Sequence, residues 1–266
     1  MMSMELYFKL LKKPVFTMDD VNEYYGKIES ARSAIKRLMA KGMVEKIRNN
    51  LYTCVSGETN APLANRYQIA SAITPTAYVS HHTAMEYYGA NDQMYYDVYV
   101  SSKTEFKDFE FDGYTYHYVP CKCNEGIESV AYSGGVRVTD RERTVVDSIK
   151  EMDKIAGIEE VISNIECMPR LNEQRLLAYL ECYQNKFLYQ KAGFLLKEYQ
   201  DKLSLSDEFF EICKQKKGFS KRYLINDCNN GKYVDEWCLI VPANIFDLKN
   251  GGNRGRKERT TLRNHI

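Results

Sequence analysis

The chain has 266 residues, 44% of them hydrophobic, and a net charge of +1, enough length and apolar content for one large or two modest packed domains. The charge is uneven. Residues 1–56 carry ten Lys and Arg against six Asp and Glu, residues 249–266 carry six against one, and the stretch between carries 21 against 29. That distribution excludes a uniformly basic surface and points to a local anion-binding module at one end.

No apolar run approaches the roughly 18 residues that cross a bilayer, and "MMSMELYFKLLKK" lacks the apolar core of a signal peptide. A cytoplasmic location with no membrane partner is therefore expected. Eight cysteines are sparse for this length, and the C-x-C of Cys121 and Cys123 has no second pair or His cluster beside it. Reduced, mostly buried thiols are expected, with no metal or cofactor.

From the N-terminus, Leu6, Tyr7, Leu10 and Leu11 are spaced for a helix over residues 4–12, which Pro14 ends. Thr17 can cap a second helix whose first turn holds Asp19 and Asp20, and Gly26 closes it. Ser30 can cap a third, running to Lys41 with Gly42 as its stop. At 100° per residue, Ala31, Ala34, Ile35, Leu38 and Met39 share one side of this helix. Arg32, Ser33, Lys36, Arg37 and Ala40 take the other. "MVEKIR" and "LYTCV" then flank Asn49 and Asn50, residue types that tolerate the positive φ of a tight hairpin.

Three helices and a basic hairpin are the order of a winged helix-turn-helix. Such a module reads double-stranded DNA with the exposed face of its third helix and clamps phosphate with the hairpin. The residues placed against DNA are Arg32, Ser33, Lys36 and Arg37 on the helix, and Lys46, Arg48 and Asn49 on the wing.

Polar, turn-forming residues near 56–64 suggest a linker. Beyond it, "RYQIASAI" is helical, Tyr78–Ser80 is a strand feeding a helix that Gly89 ends, and further strands lie in "YYDVYVSS", "FEFDGYTYHYVP" and "GGVRVTD". Asp112–Gly113 is a hairpin turn, and "RERTVVDSIKEM" is helical, with Arg143 and Asp147 paired at i, i+4 to lock a strand-to-helix corner. Residues 153–217 read as helices, with Ser206 as a cap. "YLINDCNNGKYVDEWCLIVPANI" reads as a strand pair joined through Asn229, Asn230 and Gly231. The last eighteen residues, basic and glycine-rich, read as disordered. The expected fold is α+β: a winged helix-turn-helix over 1–56, a larger second domain over 57–248 (mixed α/β to 150, mainly helical with a terminal strand pair from 151), and a tail over 249–266.

Enzyme motifs are few. The nucleotide-binding glycine loops, H-E-x-x-H and G-x-S-x-G do not occur. His81 and His82 are adjacent and point in different directions, which suits structural or surface roles better than a shared metal. Asp97 with Glu105 and Lys107 offers the residue types of a metal-dependent nuclease, but the E-x-K lies in a charged stretch that reads as a loop. A nuclease domain and a ligand-responsive transcription factor stand as the alternatives to a non-enzymatic regulator.

The chain resembles the AbiEi-type antitoxins of bacterial type IV toxin–antitoxin and phage-abortive systems. The motifs that carry this are "GMVEKIRNNLYTC", "AYVSHHTAMEYYG", "VTDRERTVVDSI", "KAGFLLKEY" and "EWCLIVPANI", in an order covering most of residues 4–246. The resemblance implies a DNA-binding, non-enzymatic antitoxin that represses its own operon and counteracts a nucleotidyltransferase-like toxin, without a stable complex being assumed. Asn50 replaces the family's usual Gly before Leu-Tyr, and the basic tail lies beyond the shared region.

Overall fold

The computed structural model describes residues 2–90, 95–152, 157–226, 228 and 230–246. Helices and three separate sheets give an α+β architecture. At the N-terminus, α1 (Met2–Leu10), α2 (Met18–Tyr25) and α3 (Ile28–Ala40) lead into the antiparallel pair β1 (Val44–Arg48) and β2 (Leu51–Cys54). Thr17 caps α2 in a reciprocal box: its hydroxyl accepts from the Asp20 amide, and the Asp20 carboxylate accepts from the Thr17 amide at 2.7 Å. Gly26, at φ 65, ends α2 in the left-handed conformation.

The expected Ser30 cap is corrected. The chain leaves Gly26 already turned, the Lys27 carbonyl accepts from the Ala31 amide at 3.1 Å, and α3 starts at Ile28 with no side-chain cap. It stops at Ala40, with Gly42 at φ 67 beyond it. Ala31, Ala34, Ile35 and Leu38 are buried with Leu6, Leu10, Phe16, Val21, Val44 and Cys54. Met39, expected on the packing side, is 39% exposed. It lies roughly 90° from the middle of the buried stripe, outside its reach. Phe16 exchanges two backbone hydrogen bonds with Tyr52, each 2.9 Å, tying the segment before α2 to β2.

The chain divides into two compact units, the first comprising residues 1–83, 95–121 and 127–139, and the second 84–94, 122–126 and 140–266. The division is not at residue 56. Residues after β2 fold back on it: Leu63 N donates to Cys54 O at 2.8 Å, Ser56 N to Ala61 O at 2.9 Å, and Ala64 N to the Thr53 hydroxyl at 3.2 Å. The expected linker is thus built into the first unit.

The first unit continues with α4 (Arg66–Ala72), β3 (Tyr78–Val79), β4 (Asp97–Ser102), β5 (Phe109–Phe111), β6 (Tyr114–Pro120), β7 (Ile127–Ser129) and β8 (Arg137–Thr139). These strands form one mixed sheet of order β5-β6-β4-β3-β8-β7. Asp112 and Gly113, at φ 50 and 76, make the β5–β6 turn where expected. The helix α5 (His81–Tyr87) carries the chain out of this unit, and Gly89, at φ 69, follows it.

The second unit holds α6 (Arg141–Lys150), α7 (Gly157–Cys167), α8 (Glu173–Tyr183), α9 (Lys186–Lys197), α10 (Gln200–Leu203) and α11 (Asp207–Lys216). Their core includes Val145, Ile149, Leu176, Leu180, Leu196, Phe209 and Trp237. Its small sheet, β9 (Arg222–Tyr223), β10 (Lys232–Val234) and β11 (Leu239–Val241), has the order β10-β11-β9. The expected hairpin through Asn229–Asn230–Gly231 is corrected, Asn229 lying outside the described residues. β10 turns through the 3₁₀ segment Asp235–Trp237 into antiparallel β11, and β9 pairs with β11 in parallel. The Trp237 indole fills the space that Gly193 leaves on α9, where a Cβ would collide with the ring.

Cys123 and Cys182 are joined in a disulfide, which corrects the expectation of reduced thiols throughout. α8 brings Cys182 onto the segment 122–126, a meeting across 59 residues that spacing in the sequence does not reveal. The tail 249–266 lies outside the described residues. Among the described residues no helix is long and apolar enough to cross a membrane.

Candidate nucleic-acid interface

Arg32, Ser33, Lys36 and Arg37 are all exposed along α3, while its opposite stripe is buried. Arg37 Nε donates to the Ser33 carbonyl at 3.2 Å, holding the guanidinium along the helix. Lys41, one turn beyond Arg37, is also exposed and extends the same edge. Read as the end of the helix, it falls outside the expected row, although its i, i+4 spacing from Arg37 is a signal that places it there. Arg32, Lys36, Arg37 and Lys46 have no carboxylate partner among the described residues. Their charge is thus uncompensated locally, unlike that of Lys13, which pairs with Asp20 at 2.5 Å.

At the hairpin, Lys46 and Asn49 are exposed, and Lys46 Nζ donates to Asn49 Oδ1 at 3.1 Å. Asn50, at φ 59, makes the tight turn in place of glycine, and its Oδ1 accepts from the Met18 amide at 3.0 Å. The hairpin tip is therefore pinned to the first turn of α2. Arg48 departs from its expected place on the wing surface. Its guanidinium lies over the rings of Phe106 and Phe109, 5.5 and 4.9 Å from their centroids, and burial lowers its pKa. The cation is held against the ring faces of Phe106, in the segment before β5, and Phe109, the first residue of β5.

The remaining sequence candidates have structural environments. His81 and His82 are both buried. His81 sits at φ 54 with Nδ1 2.9 Å from the Ser80 hydroxyl. His82 stands between Tyr95 and Tyr99, edge to face at 4.6 and 5.0 Å, and desolvation pushes its pKa down to about 4. Neither of its ring nitrogens has a hydrogen-bond partner among the described residues. It is a neutral packing group at neutral pH.

Asp97 Oδ1 and Asp108 Oδ2 each lie 2.8 Å from a ring nitrogen of His117. Partial burial opposes protonation of this imidazole, and the two carboxylates outweigh it, so its pKa is raised. Glu105 and Lys107 are exposed outside the strands, on either side of buried Phe106. The three residue types of a nuclease centre are thus not brought onto neighbouring strands. Among the described residues, no group of three or more His, Cys, Asp or Glu is placed to hold a metal ion.

The motif around Arg143 forms a buried polar network in the second unit. Asp140 caps α6 by accepting from the Arg143 amide at 2.7 Å. Arg143 Nε donates to Asp147 Oδ1 at 2.7 Å, its Nη1 to the carbonyls of Cys123 and Glu125 at 3.2 and 2.7 Å, and its Nη2 to the Tyr183 hydroxyl at 2.9 Å. The Tyr183 hydroxyl also donates to Asp147. The side chains of Arg143 and Asp147 are 2% and 1% exposed, so this pair is architectural.

No protein-family model and no curated protein matches the chain. Among solved structures it is similar to the crystal structure of RV2827C protein from Mycobacterium tuberculosis, with a TM-score of 0.61 and 12% identity over 89% of each chain. At that identity the likeness is one of fold.

Proposed function

We propose that α1–α3 and the β1–β2 hairpin form a winged helix that binds double-stranded DNA, with α3 in the major groove and the hairpin tip on phosphate. The observation that carries this reading is the exposed row Arg32, Ser33, Lys36 and Arg37, whose cations lack carboxylate partners while the opposite face of the helix is buried. Lys46 and Asn49 supply the wing contacts. Arg48 leaves that set, because its guanidinium is engaged by Phe106 and Phe109. The further proposal, a cytoplasmic type IV antitoxin-like regulator that represses its own operon and counteracts a nucleotidyltransferase-like toxin, rests on the resemblance of the motifs around His81 and Arg143. Direct binding to the toxin is not assumed.

The test measures binding of the full chain to the DNA upstream of its own reading frame and to random duplex. Arg32→Ala and Lys36→Ala should lower the ratio of the two affinities, since a good base-edge contact is worth about 1–3 kcal/mol. Lys46→Ala should weaken both DNAs alike and make the slope of log K against log salt shallower by about 0.9. An intact ratio in Arg32→Ala, together with a collapsed ratio in Lys46→Ala, would move the reading role to the hairpin. Absence of duplex binding by the full chain would end the proposal. Co-expression with a neighbouring nucleotidyltransferase-like toxin reads the second activity, where the full chain should restore growth and Arg32→Ala should still do so.

A further inference from the structure

A second basic and aromatic surface lies in the second unit, on a part of the chain that is acidic overall. Residues 214–234 hold six Lys and Arg against a single Asp. Lys214 pairs with Glu211 and Glu236, and Lys216 with Glu181. Lys217, Lys221, Arg222 and Lys232 have no carboxylate partner among the described residues.

Two of these cations, Lys217 and Lys221, stand beside exposed aromatic rings at the small sheet. Tyr223 on β9 and Tyr233 on β10 are both in register with Ile240 on the central strand β11. Residues directly opposite one another project from the same face of a sheet, so the two tyrosines flank Ile240 in one row. Leu224, Leu239 and Val241 alternate with that row and are buried in the core, which makes the Tyr223–Ile240–Tyr233 face the outer one. Tyr223 is 58% exposed and Tyr233 41%, and Phe219 just before β9 is 88% exposed. Lys221 Nζ stands 4.8 Å from the centroid of the Tyr233 ring, and Lys217 Nζ stands 5.8 Å from that of Phe219. The platform is rigidly backed. Gln190, buried on α9, donates to the carbonyls of Ser220, Trp237 and Cys238, fixing the segments that lead into β9 and β11.

Exposed rings cost solubility without a partner, and cations interleaved with them suit a polyanion that also carries flat apolar faces. A lipid headgroup layer matches the charge but offers nothing to stack in a row of separate rings. Bases of an unpaired strand match both, because neighbouring strands set the rings about two strand spacings apart and every base presents a π face. We infer that the Tyr223–Ile240–Tyr233 face is a binding platform for single-stranded nucleic acid, with Tyr223, Tyr233 and Phe219 stacking bases and Lys217 and Lys221 meeting phosphates. Stacking of this kind tolerates any sequence, so the surface is a general strand holder that is independent of duplex reading at α3.

The experiment uses the full chain and measures anisotropy of labelled oligouridine and oligothymidine, with the random duplex and anionic phosphatidylserine vesicles as parallel probes. Both oligonucleotides should bind, and a preference for oligouridine would identify RNA as the source. Tyr223→Ala and Tyr233→Ala should each weaken oligonucleotide binding by about tenfold, whereas Tyr223→Phe and Tyr233→Phe should retain it. Lys221→Gln should make the salt slope shallower by about 0.7, and duplex binding should be unchanged in all of these variants. Wild-type affinity in both alanine variants would overturn the inference, as would binding of vesicles without binding of either oligonucleotide. Arg32→Ala should bind the single strands as the wild type does. Loss of single-strand binding in that variant would assign the activity to α3 and remove it from this platform.

Discussion

α3 and α6 are built from similar residue types and put their charges to opposite uses. α3 keeps Arg32, Lys36 and Arg37 in solvent and buries a narrow stripe of Ala31, Ala34, Ile35 and Leu38. In α6, every residue from Glu142 to Ile149 is buried, and Arg143 spends its donors on Asp147, Tyr183 and two backbone carbonyls. A cation surrounded by its own partners holds a corner together and is withdrawn from ligands. One left without a carboxylate in water is available to an external anion.

The largest effect that tests this contrast is at the buried end. Arg143→Ala leaves Asp147 charged and uncompensated, and should destabilise the protein by about 3–5 kcal/mol in denaturant melts. The double replacement Arg143→Met with Asp147→Leu should recover much of that loss, because it removes the stranded charge. If the single variant unfolds at the wild-type midpoint, the network does not hold the corner.

A smaller, pH-dependent effect belongs to His117, midway between the two extremes with its side chain 29% exposed. Its folded pKa is raised above 6.5, so its bridge to Asp97 and Asp108 contributes fully below about pH 6.5 and fades as pH rises through the folded value. Thermal melts should show a stability increment on acidification through that window that His117→Gln abolishes. An unchanged pH profile in the variant would show that the bridge contributes nothing.

The smallest change in stability is expected at the exposed end. Arg32→Ala and Lys36→Ala should alter stability by no more than about 0.5 kcal/mol, even where they reduce DNA discrimination. A loss of several kcal/mol would mean that these side chains serve the fold.

Much of this was legible from local chemistry. The Thr17 cap, the stops at Gly26 and Gly42, the Asp112–Gly113 turn and the Arg143–Asp147 pair each depend on residues within a few positions of one another. What escaped depends on distant partners. Arg48 reads as a wing cation until Phe106 and Phe109 are folded against it, and Cys123 reads as a thiol until α8 delivers Cys182. The Ser30 cap failed for a different reason. Ser30 is a good capping residue type, but Gly26 had already turned the chain and the helical ladder was running from Lys27. Parallel pairing of β9 with β11 was hidden because β10 interrupts them in sequence. The exposed face of α3 was legible because its period needs only the helix itself.

The paired hydrogen bonds between Phe16 and Tyr52 bear on how the N-terminal module opens. They join residues 36 positions apart, and their rings stack at 5.9 Å, so β2 cannot fray while the segment before α2 stays in place. With Asn50 also anchored to the start of α2, the hairpin has no independent opening of its own. The helices and hairpin should therefore open as one cooperative foldon. Hydrogen exchange should show their interior amides exchanging through a shared opening, with the hairpin held beside α3 until that opening occurs.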